Sequence, residues 1–385
     1  MTRSKHIYLI LLLTLLATFS SCHQDEDIIP SVQEKVTSPE QTAQIKGFYV
    51  LNEGSMGSNK CTLDYFDYTT GIYSRNIFAE RNPGVVQELG DVGNDISIYG
   101  NKLYAVVNCS HFVEVMDART ARHITQISIP NCRNIVFDGP YAYVSSYAGP
   151  VLIDPNARLG YVARIDTATL QVVDSCTVGY QPEQMAVMNG KLYVANSGGY
   201  RAPNYDSRVS VINLNTFQHE KDIDVAINLH RMVSDKKRGK IYVSSRGNYA
   251  ETGSDIYVID ASSDNVVGSL SVPCSSMTLS GDSLYIVSSE WNNASASYKT
   301  TFAIYDVARG QLLPHSFITD GSETSIDKPY GLAVNPENGD ILVTDAADYI
   351  TPGTLRCYDK RGALRWKVMT GDIPSSIAFS PFSAK

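Results

Sequence analysis

One phrase recurs seven times along this chain and limits what it can fold into: a turn of Gly, Asn or Asp, an alternating apolar strand centred on tyrosine, then small polar residues. The copies are "GFYVLNEG", "NKLYAVVNC", "GPYAYVSSYAG", "GKLYVANSGGY", "GKIYVSSRGNY", "DSLYIVSSEWN" and "GDILVTDAADY". Their centres, Tyr49, Tyr104, Tyr143, Tyr193, Tyr242, Tyr285 and Leu342, are 55, 39, 50, 49, 43 and 57 residues apart. That spacing suits a four-stranded propeller blade. Each copy leads into a strand ending in Asp or Asn, as in "YVARIDTATL" and "DIYVIDASSD", then into another such as "QVVDSCTV", and a further strand such as "EQMAVMNG" leads back to the next copy. Period-two alternation with regularly spaced turn residues and no helical stretch is all-β patterning.

The two ends of the repeat region complete each other. The repeats open on a second strand, "FYVLNEG", and finish on an orphan first strand, "SSIAFSPF" (Ser375 to Phe382). The reading is therefore all-β: a seven-bladed β-propeller of four-stranded antiparallel blades over 46–385, closed by pairing the N- and C-terminal strands in one blade. Closure leaves no long unpaired strand edge.

In such a ring the loop after each second strand and the link into the next blade share one face. On the other face the turns are minimal, as in "MNGK" and "SGDS". The first face carries long loops rich in Trp, Tyr, Asn, Ser and Gly, among them "SSYAGPVLIDPNARLG", "NSGGYRAPNYDSR" and "SSEWNNASASYK". Aromatics offer wide rigid contact at low entropic cost, and Asn and Ser both donate and accept hydrogen bonds. On position alone the candidate ligand-binding residues are Asn52, Glu53, Tyr147, Asn196, Tyr200, Arg246, Tyr249, Glu290, Trp291, Asp345 and Tyr349, with His111 ranked below them.

Neither a nucleophile elbow nor an H-E-x-x-H zinc motif is present, and no catalytic or metal-binding residues are assigned. His111 and His230 fall near the loop face; a lone histidine of this kind is more often structural. "TDGSETSID" clusters Asp320, Glu323 and Asp327 without the spacing of a calcium loop and reads as a solvated acidic loop. The axis-facing first strands offer few carboxylates beyond Asp95. Net charge is −8, with no basic stripe to neutralise phosphates, so nucleic acid is not an expected partner. Of seven cysteines, Cys61, Cys109, Cys132, Cys176, Cys274 and Cys357 belong to the repeats. Their spacing leaves the pairing open; Cys109 and Cys132, placed on one face, are the first guess for a disulfide.

Ahead of the repeats, "MTRSKHIYLILLLTLLATFS" has basic residues followed by an apolar run too short to span a bilayer, the layout of a secretory signal over 1–21. The next residues, "SCHQDED", resemble the lipobox of bacterial lipoproteins at Cys22 followed by the acidic export tag of Bacteroidota surface lipoproteins. The resemblance implies lipidation of Cys22 and a chain anchored to the outer membrane and exposed at the cell surface; a lipoprotein held in the periplasm is the alternative. Residues 28–44, "IIPSVQEKVTSPEQTAQ", read as a flexible tether within the segment 22–45.

The opening "YVLNEGSMGSNKCTLDYFD", together with YncE-like blades of the "GKLYVANSG" type, resembles the BtuG-type surface lipoproteins of Bacteroidota over essentially the whole mature chain. That resemblance implies capture of cobalamin (vitamin B12) and other corrinoids at the cell surface and hand-off to a TonB-dependent transporter of the BtuB type. It requires no catalysis and no cofactor besides the transported ligand. Two other readings stand beside it: a propeller that binds a glycan or a protein partner, and a propeller lactonase or hydrolase with a metal on the axis.

Overall fold

The computed structural model describes residues 29–85, 88–292 and 297–383, and the seven copies of the repeat are seven antiparallel sheets. The residues read as a secretory signal, Cys22 and the acidic run lie outside the described residues. The innermost strands, Gly93–Tyr99, Cys132–Asp138, Pro182–Met188, Leu229–Asp235, Ser276–Ser280, Pro329–Val334 and Pro374–Ser380, pack one against the next around a ring. Strand Pro374–Ser380, from the C-terminal end, pairs with Gly47–Asn52, placing Ala378 opposite Tyr49. The ring therefore closes as the orphan strand implied.

The tyrosine anchors explain why the phrase repeats. The buried apolar side chains form seven clusters, each shared by two adjacent blades. Tyr49 packs with Leu103 and Met116 of the following blade, and Tyr193 with Ile241 and Ile259. Buried phenols need a partner, and these reach across the same seams: Tyr49 donates to the Ala118 carbonyl at 3.0 Å and Tyr193 to Asp264 at 2.6 Å. Burial of one such ring contributes at most roughly 4–6 kcal/mol. The Asp or Asn that ends each third strand has an equally local cause. Asp67, Asp117, Asp166, Asn213, Asp260, Asp306 and Asp359 each accept the backbone N–H two residues on, bending the chain into the outer hairpin.

Two expectations are corrected. The segment read as a tether is bound over much of its described length. Val32–Lys35 adds a fifth strand to the closing blade, antiparallel to Ile72–Arg75. Further along, the Glu337 carboxylate accepts the amides of Ala43, Gln44 (2.9 Å) and Ile45 (2.6 Å), and Glu40 pairs with Arg365. Backbone pairing holds the added strand, whose side chains are all exposed, so no apolar pattern announces it. The disulfide is also not formed: all six repeat cysteines are free, and the Cys132 sulfur lies against the carbonyls of Val107 and Phe112 inside the blade.

Candidate functional site

A backbone device repeated in five blades builds the loop-face end of the axis. The residue before the inner strand is left-handed at Val92, Asn131, Gln181, Asn228 and Ile373. Its carbonyl accepts the N–H of the residue that follows the second strand: Asn108, Tyr147, Ser197, Arg246 and Glu53, respectively. Glu53, Tyr147 and Arg246 thus occupy equivalent places around the mouth. Gly54, also left-handed, turns the chain away directly after Glu53, where a Cβ would meet the Lys60 backbone at 2.7 Å.

A second device aims side chains at the axis from below. Six of the seven inner strands begin with a one-residue bulge against their neighbour. A bulge of this kind redirects side chains. The bulged positions hold Asn94 and Asp95, Arg133 and Asn134, Glu183 and Gln184, His230 and Arg231, Tyr330, and Ser375 and Ser376. They form a charged floor.

Glu183 is the hub of that floor. Arg133 reaches it through both Nε and a terminal nitrogen at 3.1 Å, Tyr147 donates its hydroxyl at 2.5 Å, and Arg246 lies 3.6 Å away. Burial alone would raise this carboxyl, but Arg133 and Arg246 outweigh it and hold the pKa below its ordinary value. The Arg133 guanidinium also lies over the Tyr147 ring and donates to Asn94 at 2.9 Å. Glu53 has the opposite fate. It accepts the Tyr330 hydroxyl at 3.1 and 3.2 Å, and burial pushes its pKa up to about 7 against the opposing pull of Arg133 and Arg231. His230 is kept neutral, its pKa driven well below the ordinary value by burial and then by Arg246, Arg231 and Arg133.

Two cavities open above this floor. One, of about 270 Å³, lies on the axis over Glu53, Arg133 and Glu183. The other, of about 460 Å³, lies to one side beneath Tyr249, Trp291, Tyr298 and Tyr349. They share His230, Arg231, Arg246 and Tyr330. The four aromatics are 71%, 53%, 46% and 38% exposed, respectively; the Lys328 ammonium already covers one face of the Tyr298 ring, 2.8 Å from its centroid.

Of the residues singled out from the sequence, Glu53, Tyr200, Arg246, Tyr249, Glu290, Trp291 and Tyr349 line one cavity or the other. Others sit behind that lining. Asn52 is buried and donates to Thr62 at 3.0 Å; Asn196 donates to the Arg208 carbonyl at 2.8 Å; Tyr147 supports Glu183. Asp345 accepts the Lys328 amide at 2.8 Å and pairs with Arg356 at 3.3 Å. His111 is exposed, away from both cavities, and its Nδ1 accepts the Asn131 amide. The inner strands also carry more charge than expected: Glu183 joins Asp95 among the carboxylates, and Arg133, Arg231 and Tyr330 were not singled out at all. Asp320 accepts the amides of Ser322 and Leu364, so part of the acidic loop serves the backbone.

Residues 46–361 match the family described as "Domain of unknown function (DUF5074)". No curated protein matches the sequence. Among solved structures, Kuenenia stuttgartiensis hydrazine synthase is similar at a TM-score of 0.62, with 16% identity, over 75% of this chain and 90% of that one. A quinonprotein alcohol dehydrogenase-like protein from Bacteroides thetaiotaomicron VPI-5482 is similar at 0.56, with 19% identity, over 87% and 78% of the two chains. A chain of the mitotic checkpoint complex is similar at 0.54, with 11% identity, over 75% and 83%. At these identities the likeness is one of fold.

Proposed function

The chain belongs to the DUF5074 family, and we propose that it is a surface lipoprotein that captures a corrinoid, cobalamin in the first instance, on the loop face of its propeller. The same reading has it anchored in the outer membrane through Cys22 and passing its ligand to a TonB-dependent transporter of the BtuB type, without catalysis. One observation carries the reading: two adjoining cavities on a single face, one floored by charge and the other walled by exposed aromatics. A corrinoid is a broad, partly apolar disc fringed with amides, and cobalamin also bears one phosphodiester. Aromatic faces suit the disc; hydroxyls of Tyr, Ser and Thr along the second cavity suit the amides. A mouth assembled on rigid strand ends has little order left to lose on binding, which favours affinity.

Calorimetric titration of the purified chain with cyanocobalamin tests this, together with depletion of free corrinoid on gel filtration. One-to-one binding, weakened by Trp291→Ala, is the expected result. Absence of binding at micromolar ligand overturns it, and the face then falls to the glycan or protein-partner reading.

A further inference from the structure

The lining of the axial cavity holds three arginines and two glutamates, and their positive charge is unevenly answered. Arg133 is satisfied by Glu183 and Asn94. Arg246 is partly satisfied, 3.6 Å from Glu183 and donating to Nε2 of His230 at 2.7 Å. Arg231 is not. Its side chain makes one hydrogen bond, from Nε to the Ser275 carbonyl at 3.4 Å, and has no carboxylate within ion-pair distance among the described residues. The two acids whose fields it feels are both committed elsewhere. Glu53 takes the Tyr330 hydroxyl, and Asp95 takes the amides of Ile96 and Ile135 and the Ser376 hydroxyl.

His230 adds a second, independent sign. Because its Nε2 accepts from Arg246, its proton belongs on Nδ1, and Nδ1 is a buried nitrogen with no hydrogen-bond partner. The residue is 8% exposed and lines both cavities. A half-buried guanidinium that lines a cavity without an ion-pair partner is a ready seat for an anion. Arginine also presents its donors as a planar fork that matches oxyanions.

We propose that the floor of the axial cavity is an oxyanion subsite that takes the phosphate, phosphodiester or carboxylate group of the ligand. Arg231 and Arg246 are its direct donors, and Arg133, held in place by Glu183, is the charge behind them. The subsite rests on the loop face being the ligand-binding face, and it stands whether or not the ligand is a corrinoid. Applied to cobalamin, it sets the disc against the aromatic wall and the phosphodiester on the axis.

Inorganic phosphate separates the subsite from the rest of the ligand. Calorimetric titration of the purified chain with phosphate is expected to show saturable one-to-one binding, weakened about tenfold or more by Arg231→Gln and less by Arg231→Lys. A parallel titration compares cobalamin with cobinamide, which lacks the phosphodiester. Cobalamin is expected to bind more tightly, to be competed by phosphate, and to lose that advantage in Arg231→Gln. Phosphate binding without cobalamin binding retains the subsite and removes the corrinoid reading. Equal binding of the two corrinoids with no phosphate competition removes the subsite and retains the corrinoid reading. Phosphate binding that neither Arg231→Gln nor Arg246→Gln changes also overturns the subsite, as does no saturable phosphate binding at all.

Discussion

Tyr330, on the inner strand of the last blade, donates its hydroxyl to Glu53, at the mouth of the first, at 3.1 and 3.2 Å from the two carboxylate oxygens. The bond joins the last blade to the one in which the two ends of the chain pair. Burial holds the Glu53 carboxyl at about 7 rather than 4.5, so the folded chain binds a proton more tightly than the unfolded chain does. Stability from this group is therefore fully present below pH 4.5 and declines as pH rises through 7, by about 3 kcal/mol in all. Glu53→Gln keeps an acceptor for Tyr330 and removes the titration. Urea midpoints measured between pH 5 and 8 are expected to fall with pH in the parent chain, and less steeply in the variant. Parallel profiles overturn the assignment.

The blade count and the closing strand could be read from the sequence because each rests on a local necessity repeated around the ring: a tyrosine, replaced once by Leu342, that fills a seam, and an Asp or Asn that turns a hairpin. The aromatic wall was readable for a related reason, since Trp291 lies at the loop-face end of the second strand Ser283–Asn292, and Tyr249 and Tyr349 lie in the loops that follow the second strands Lys240–Ser245 and Ile341–Asp345. The floor was not. Arg133, Glu183, Arg231 and Tyr330 are isolated polar residues in short apolar strands, and only the bulges give them a common direction. Aligning the starts of the first strands, "NDISIY", "RNIVFD", "EQMAVM", "HRMVSD" and "YGLAV", would have exposed a polar or aromatic residue at the same place in each. Asn52 and Asn196 misled for the converse reason: a polar side chain that ends a strand serves the neighbouring backbone as readily as a ligand.

Tyr193 tests what the anchors contribute. Its ring fills the seam to the following blade, and its hydroxyl meets Asp264, which also pairs with Lys191 and Lys221. Tyr193→Phe removes the hydrogen bond alone and is expected to cost about 1–2 kcal/mol. Tyr193→Ala also empties the seam and is expected to cost about 3–5 kcal/mol. Equilibrium unfolding in urea, with an unchanged slope, reads both values; equal losses would mean that the ring itself contributes nothing.

Glu337 holds the N-terminal segment through three consecutive backbone amides, and those bonds keep its carboxyl below its ordinary range. What this clamp contributes is present above pH 4.5 and is lost as pH falls through the lowered folded value. In Glu337→Ala, the amides of Ala43, Gln44 and Ile45 are expected to lose their protection from hydrogen exchange at neutral pH, whereas in the parent chain protection, measured against the intrinsic rate at each pH, is lost only on acidification. Unchanged protection in the variant would show that the added strand Val32–Lys35 holds the segment by itself.

Glu183 separates the structural task of the floor from its binding task, because one substitution moves them in opposite directions. Glu183→Gln keeps the shape and an acceptor for Tyr147 but strips Arg133 and Arg246 of their shared counter-ion. Leaving buried charge unpaired costs about 3–5 kcal/mol, so the variant is expected to melt well below the parent chain. The same change makes the cavity more positive, so an oxyanion bound there is held more tightly. Sulfate, whose charge is constant across neutral pH, is a suitable probe. A ligand that binds only the folded chain raises its stability by RT ln(1 + L/Kd), L being the free ligand concentration. Millimolar sulfate is thus expected to restore more of the melting temperature in Glu183→Gln than it adds to the parent, and chloride at equal ionic strength is expected to restore less. Equal gains from both salts in both proteins would reduce the effect to screening, and the arginines of the floor would then be purely structural.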